Sequence, residues 1–356
     1  MEEKTMKLRR TKKIISVSLI LALVCIAGAG CGGGGGGGGG GDDATVESIT
    51  LRLASDAPMD HIATRLNEAA CQKVEDRTDG RVKINYYGGS QLGSYESVYE
   101  ELVRGTVDIA QISVPDALDS RLGAPYLPYY ATSWEEAAIL YSPDSYMSQV
   151  FAEITATQDV RFLGWVLEGF IGMGVVIDPT NVFEPGAPKG IKLRSPAMAT
   201  FRIVQEDLGY NAIAITYAEV PMAIQTKVVD GWIGGTPNIN YAWVGEIITK
   251  MYVNYLHAEA TCYVMSEKTL AKLSDEDRAT VIAVFQEQSV QSIIDAEANE
   301  QVYKEKLTEA GVEVVEFTAA QLKTNADFVR NVTWPKLEDV LTKELLDNFK
   351  AEVDKL

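Results

Sequence analysis

The sequence predicts an α/β fold assembled from strand–helix–strand units. Two observations carry this. The spacing of apolar residues switches between two and four as the chain proceeds, and the same switching recurs in the second half. A third feature is one long helical run near the C-terminus, more than a small lobe needs for itself.

In "ITLRLAS" (49–55), Ile49, Leu51 and Leu53 alternate with polar residues, the period of a half-buried strand. Over 58–79, Ile62, Leu66, Ala70 and Val74 fall four apart on one helical face, and Gly80 supplies the stop. "RVKINYY" (81–87) alternates again through Val82, Ile84 and Tyr86. A helix over 94–104 then leads into a strand over 106–113. In the second half, "GIKLRS" (190–195) reads as a strand, 198–209 as a helix and 212–215 as a strand. A helix over 217–228 feeds "VDGWIGG" (229–235). Residues 274–311, with Ser274 as N-cap and Gly311 as stop, hold about 36 helical residues, roughly 54 Å of helix. A helix of that length either kinks or braces two lobes along their backs.

The N-terminus stands outside this pattern. "KLRRTKK" (7–13) is basic, and "IISVSLILALVCIAGA" (14–29) is an apolar run that suits an export signal better than a membrane span. "GAGC" (28–31) resembles a bacterial lipobox, with Gly28 where leucine is usual. Cleavage there makes residues 1–30 a signal peptide and leaves a lipid-modified Cys31 as the new N-terminus, an extracytoplasmic protein anchored to the cell membrane. An uncleaved N-terminal anchor is the alternative. Ten glycines (32–41) within 31–47 form a flexible tether spanning roughly 15–20 Å.

Acidic residues outnumber basic ones 50 to 32, a net charge of −18 that argues against a nucleic-acid partner. Two cysteines, Cys71 and Cys262, follow the tether, and separate buried thiols fit their spacing better than a disulfide. Four scattered cysteines and two histidines contain no zinc spacing, and no metal or cofactor is implied. There is neither a phosphate loop nor a nucleophile elbow, so enzyme chemistry has no anchor. His257 is expected in the core or at a hinge; for His61, near the start of the first helix, a place at a cleft is only the lesser alternative.

Several ordered segments resemble one family, the extracytoplasmic solute-binding subunits of TRAP transporters, which are ATP-independent uptake systems for organic acids. The segments are "GRVKINYYGGSQLGS" (80–94), "LVRGTVDIAQIS" (102–113), "YLPYY" (126–130), "PKGIKLRSP" (188–196) and "LGYNAIAITYAEVPMAIQTKVVDG" (208–231). The resemblance spans about residues 48–350. It implies a two-lobed, type II periplasmic-binding-protein-like fold, with hinge crossover strands and a long bracing helix. Lobe I is expected at 48–168 plus 258–299, and lobe II at 169–257 plus 300–356. It also implies delivery of a carboxylate ligand to membrane permease subunits. A subunit of an ATP-driven importer and an extracytoplasmic ligand-sensing module are the alternatives.

By this resemblance the arginine of "KLRSP", Arg194, pairs with the substrate carboxylate, a role that a planar guanidinium suits. Two departures bear on the ligand. "EGFIGMG" (168–174) places Ile171 where the family often has a second arginine. "VDGWIGGTP" (229–237) places Gly234 where an asparagine is frequent, and introduces Trp232. Lobe I is expected to add residues near Asp56 and Gln91 and the "YLPYY" turn, notably Tyr129. With Phe170 and Trp232 as apolar surface, an apolar or aromatic monocarboxylate is expected.

Overall fold

A computed structural model describes residues 48–59 and 61–356. The signal segment, Cys31 and the glycine tether lie outside the described residues. The sheet strands are β1 (Ile49–Ser55), β2 (Val82–Tyr87), β3 (Ile109–Ile112), β4 (Val160–Val175), β5 (Lys192–Ser195), β6 (Asn211–Ala214), β7 (Gly231–Gly235), β8 (Lys250–Ser266) and β9 (Glu313–Glu316). They run in the order β2-β1-β3-β8-β4-β7-β5-β6, with β9 beside β8.

The order divides the sheet into two βαβ halves. β1 pairs in parallel with β2 and β3, and β5 pairs in parallel with β6 and β7. Each parallel pair needs a crossover, supplied in the first half by α1 (Ile62–Arg77) and α2 (Tyr95–Arg104). β4 and β8 are antiparallel and pass through both halves. β8 meets β3 at Ile109↔Met265 and β9 at Lys250↔Glu313, while β4 meets β7 at Val175↔Gly231. These two strands are the crossovers between lobes.

The β4–β8 ladder is irregular at its middle, with register shifts between Leu167 and Phe170 and between Ile171 and Met173. Such irregularities leave amides without ladder partners and bend the strand. The helices α3 (Trp134–Leu140), α4 (Tyr146–Ala156), α5 (Ala199–Asp207), α6 (Val220–Gln225), α7 (Pro237–Ile239) and α8 (Glu267–Leu270) precede the long helix α9 (Asp275–Glu309). α9 answers the loose amides: Leu167 N donates to Ser292 Oγ (3.0 Å), and Phe170 N donates to Glu300 Oε2 (3.4 Å). The long helix therefore braces the crossover directly, capped at its start by Ser274 Oγ, which accepts from Asp277 N at 3.1 Å.

Three elements depart most from the sequence expectation. α1 begins at Ile62 rather than 58, because His61 N donates to Pro58 O (2.9 Å) and the His61 side chain caps the helix from outside. β3 is shorter than 106–113, since the amides of Thr106 and Val107 turn back to Glu101 O. The helix expected over 217–228 is a 3-10 turn (Tyr217–Glu219) followed by α6.

The last helices are α10 (Ala319–Val332), α11 (Glu338–Leu341) and α12 (Lys343–Val353). α10 packs on α5, α11 on the 3-10 turn Ser120–Tyr126, and α12 on α4. Trp334 Nε1 donates to Pro128 O (2.9 Å) and Arg330 Nη2 to Tyr129 O (2.7 Å), so this segment pins the "YLPYY" turn. Cys71 and Cys262 are free thiols.

Candidate functional site

β5 ends where Pro196 removes a ladder donor, and the residue before that end is Arg194. Its side chain is 4% exposed. Nε donates to Ile215 O (2.9 Å) and Nη1 to Ile233 O (3.2 Å), and the guanidinium carbon lies 6.0 Å from the centre of the Trp232 ring. Among the described residues no carboxylate forms an ion pair with it. Burial draws Arg194 down to about 10, yet it remains a cation at neutral pH. A buried cation without a counterion is costly, and it is the state that an incoming carboxylate relieves.

Arg194 faces a cavity between the two halves of the sheet. Its space, including the part open to solvent, is ≈ 700 Å³. Pro196, Met198, Phe201, Tyr217, Gly234 and Ile239 line it from the β5–β7 half. The first half and the crossover strands contribute Tyr95, Tyr126 and a set of acids.

Those acids are Asp56, just beyond β1, Glu168 on β4 and Glu259 on β8. Glu168 Oε1 accepts from Gln111 Nε2 (2.9 Å) and Thr261 Oγ1 (2.6 Å). Gln111 Oε1 accepts in turn from Ser55 Oγ (2.7 Å) and Asn67 Nδ2 (3.3 Å). Tyr126 OH donates to Glu259 Oε1 at 2.9 Å. Burial, and then the Glu259 charge, push Glu168 well above the carboxylate range. Burial likewise lifts Glu259 to about 8 and Asp56 to about 6. His61 caps α1 through Nδ1, which accepts from Ala63 N (3.2 Å) and leaves the proton on Nε2. That Nε2 is buried, has no hydrogen-bond partner and stands 3.4 Å from Glu168 Oε2. Burial holds His61 down to about 3, so the imidazole is neutral beside the carboxyl.

Of the residues named from sequence, Arg194, Gly234, Asp56 and His61 line this cavity. Trp232 does not line it. It lies behind Arg194, fully buried, with Nε1 donating to Asn240 Oδ1 (2.9 Å). Phe170 points to the back of the crossover, stacked on Tyr255 at 4.1 Å with Trp134 against it at 4.9 Å. Ile171 is fully buried opposite His257. Tyr129 is held away by Arg330 and by Asn325, whose Nδ2 donates to its hydroxyl (3.1 Å); Tyr126 of the same turn reaches the cavity instead. Gln91 is exposed in the turn after β2.

The sequence reading missed Glu168 and Glu259. Their signal was present: each is an acid inside an apolar run, "WVLEGFIGMGV" and "YLHAEATCYVM", and an acid buried in a central strand is expensive unless it has a role.

The profile of the family described as bacterial extracellular solute-binding protein, family 7, matches residues 54–334. An uncharacterized protein, YiiZ, of Salmonella typhimurium is 27% identical over 219 residues, 60% of this chain and 65% of that protein. The sialic acid-binding periplasmic protein SiaP of Vibrio cholerae is 24% identical over 295 residues, 81% of this chain and 84% of that one. The crystal structure of a TRAP periplasmic solute-binding protein from Rhodoferax ferrireducens, with bound malonate, superposes with a TM-score of 0.76 at 18% identity. It covers 86% of this chain and 97% of that chain.

Proposed function

Since the chain belongs to family 7 of the bacterial extracellular solute-binding proteins and is a TRAP-type solute-binding subunit rather than an enzyme, we propose that it captures an organic acid through Arg194. The observation that carries this reading is the buried, unpaired guanidinium facing a cavity between two lobes. Two backbone carbonyls orient it, so the fork meets a carboxylate without reorganising.

The finer reading is a solute with one carboxylate and an apolar or aromatic body. Arg194 is the only lysine or arginine on the cavity wall among the described residues, and Tyr95, Tyr126, Tyr217, Phe201 and Met198 supply apolar surface. On this reading the lobes are 48–168 plus 258–299 and 169–257 plus 300–356, with the C-terminal helices touching both. Closure about β4 and β8 brings the walls together, and the ligand favours the closed state by contacting both. The loaded protein then docks on the TRAP permease subunits. The protein is extracytoplasmic, as its family is, and the proposed anchor is a lipid on Cys31; no described helix is long and apolar enough to cross a membrane.

A thermal-shift screen of carboxylates tests the reading. A true ligand at a hundred times its Kd stabilises by about 2.7 kcal/mol. Stabilisation by succinate or malate alone would sink the monocarboxylate reading, and no response to any carboxylate would sink the whole.

A further inference from the structure

The charges of the cavity are divided between its walls. Arg194, on β5, has no carboxylate against it. Asp56, Glu168 and Glu259, on the opposite wall, have no lysine or arginine against them among the described residues. A simple anion answers the first wall and adds repulsion at the second.

Hydrogen-bond donors surround Glu168. Gln111 and Thr261 both donate to Oε1, and the Nε2–H of His61 faces Oε2 at 3.4 Å without a hydrogen bond. Donors aimed at a carboxylate favour its charged form. Desolvation and the neighbouring Glu259 oppose it. The Arg194 charge is felt at Glu259 across the cavity, but no lysine or arginine among the described residues touches the three acids. No group of three or more acidic, histidine or cysteine side chains among the described residues is placed to hold a metal ion, so an organic cation suits this wall better than a metal.

We propose that the solute is a zwitterion, its carboxylate on Arg194 and an ammonium or similar organic cation held among Asp56, Glu168 and Glu259. This rests on the carboxylate assignment above and adds a second pole to it. With one pole on each wall, the ligand bridges the lobes electrostatically and draws them shut. Tyr126 and Tyr217 also line this cavity.

Calorimetry on the purified protein with matched pairs tests it: 3-phenylpropanoate with phenylalanine, 4-methylpentanoate with leucine, butanoate with 4-aminobutanoate, and acetate with glycine betaine. In at least one pair the cationic member should bind tenfold or more tighter. Its binding should release protons at pH 7, read from buffers of differing ionisation enthalpy, because an arriving cation ionises the raised acids. Uncharged acids meeting a simple anion release none. Glu259→Gln should weaken the cationic member tenfold and tighten the deaminated one. If the deaminated acid binds as well or better in every pair, the zwitterion inference is overturned and the carboxylate reading stands. If neither member of any pair binds, both fall.

Discussion

Arg194 lies over the indole ring of Trp232, 6.0 Å from the guanidinium carbon to the ring centre, and the close packing around it depends on Gly234. A Cβ on Gly234 would stand 2.7 Å from Arg194 Nη1 and 3.4 Å from the indole, at a backbone φ of +135°. Gly234→Ala should therefore displace the guanidinium and weaken carboxylate binding by about 1.4 kcal/mol or more, roughly tenfold. Titration calorimetry of the variant checks this. Wild-type affinity would mean that the fork tolerates the shift.

Removing the guanidinium itself has a larger effect. Arg194→Ala should cost about 2 kcal/mol or more of carboxylate affinity, the loss expected when a buried charge pair loses one member. Arg194→Lys should not restore it, because one ammonium cannot hold both Ile215 O and Ile233 O and still present two parallel donors. Equal affinity in the lysine variant would show that charge alone suffices.

Phe170 separates the sequence expectation from the structure. It is packed between Tyr255 and Trp134 behind the crossover and does not line the cavity. Phe170→Ala should cost about 3–5 kcal/mol of stability by leaving a core void. At a temperature where the variant is folded, its ligand affinity should stay within a few-fold of wild type. Phe201→Ala, on the cavity wall, should change affinity. Denaturant unfolding paired with calorimetry distinguishes the two, and a Phe170 variant that is stable but cannot bind would contradict the placement.

The βαβ halves were legible because their strands and helices are half-exposed, and alternation or four-residue spacing marks which face is buried. β4 and β8 were harder to read. Both are buried on both faces for most of their length, so they read as apolar runs without a period. Arg194 was legible through the resemblance and through its place beside Pro196. Phe170, Ile171 and Tyr129 were misplaced because a residue's facing at a strand irregularity or a pinned turn depends on distant contacts: Glu300 for the first, Arg330 for the last. Glu168 and Glu259 are far apart in the chain, and only the β4–β8 pairing brings both to one cavity.

The buried acids also set a pH dependence for the unliganded protein. Glu259 keeps its proton up to about pH 8 in the folded state, against about 4.5 unfolded. Between those values the folded state binds more protons than the unfolded one, so this group's contribution to stability falls as pH rises from 4.5 to 8. Glu168, also raised, has the same sign. Asp56, lifted from 3.8 to about 6, completes its share below that range's upper half. His61 and His257 have the opposite sign. Both are drawn from 6.5 to about 3 by burial, so the unfolded chain takes up protons that the folded chain refuses, and stability rises from pH 3 to 6.5. Above 6.5 the histidines no longer contribute a slope and the two glutamates do. The melting temperature of the ligand-free protein should therefore fall between pH 6.5 and pH 8. Glu259→Gln should flatten that decline, since an amide has no proton to lose. A wild-type melting temperature that holds level or climbs across the same window would mean that Glu259 is already ionised in the folded cavity, with a cation beside it or water reaching it.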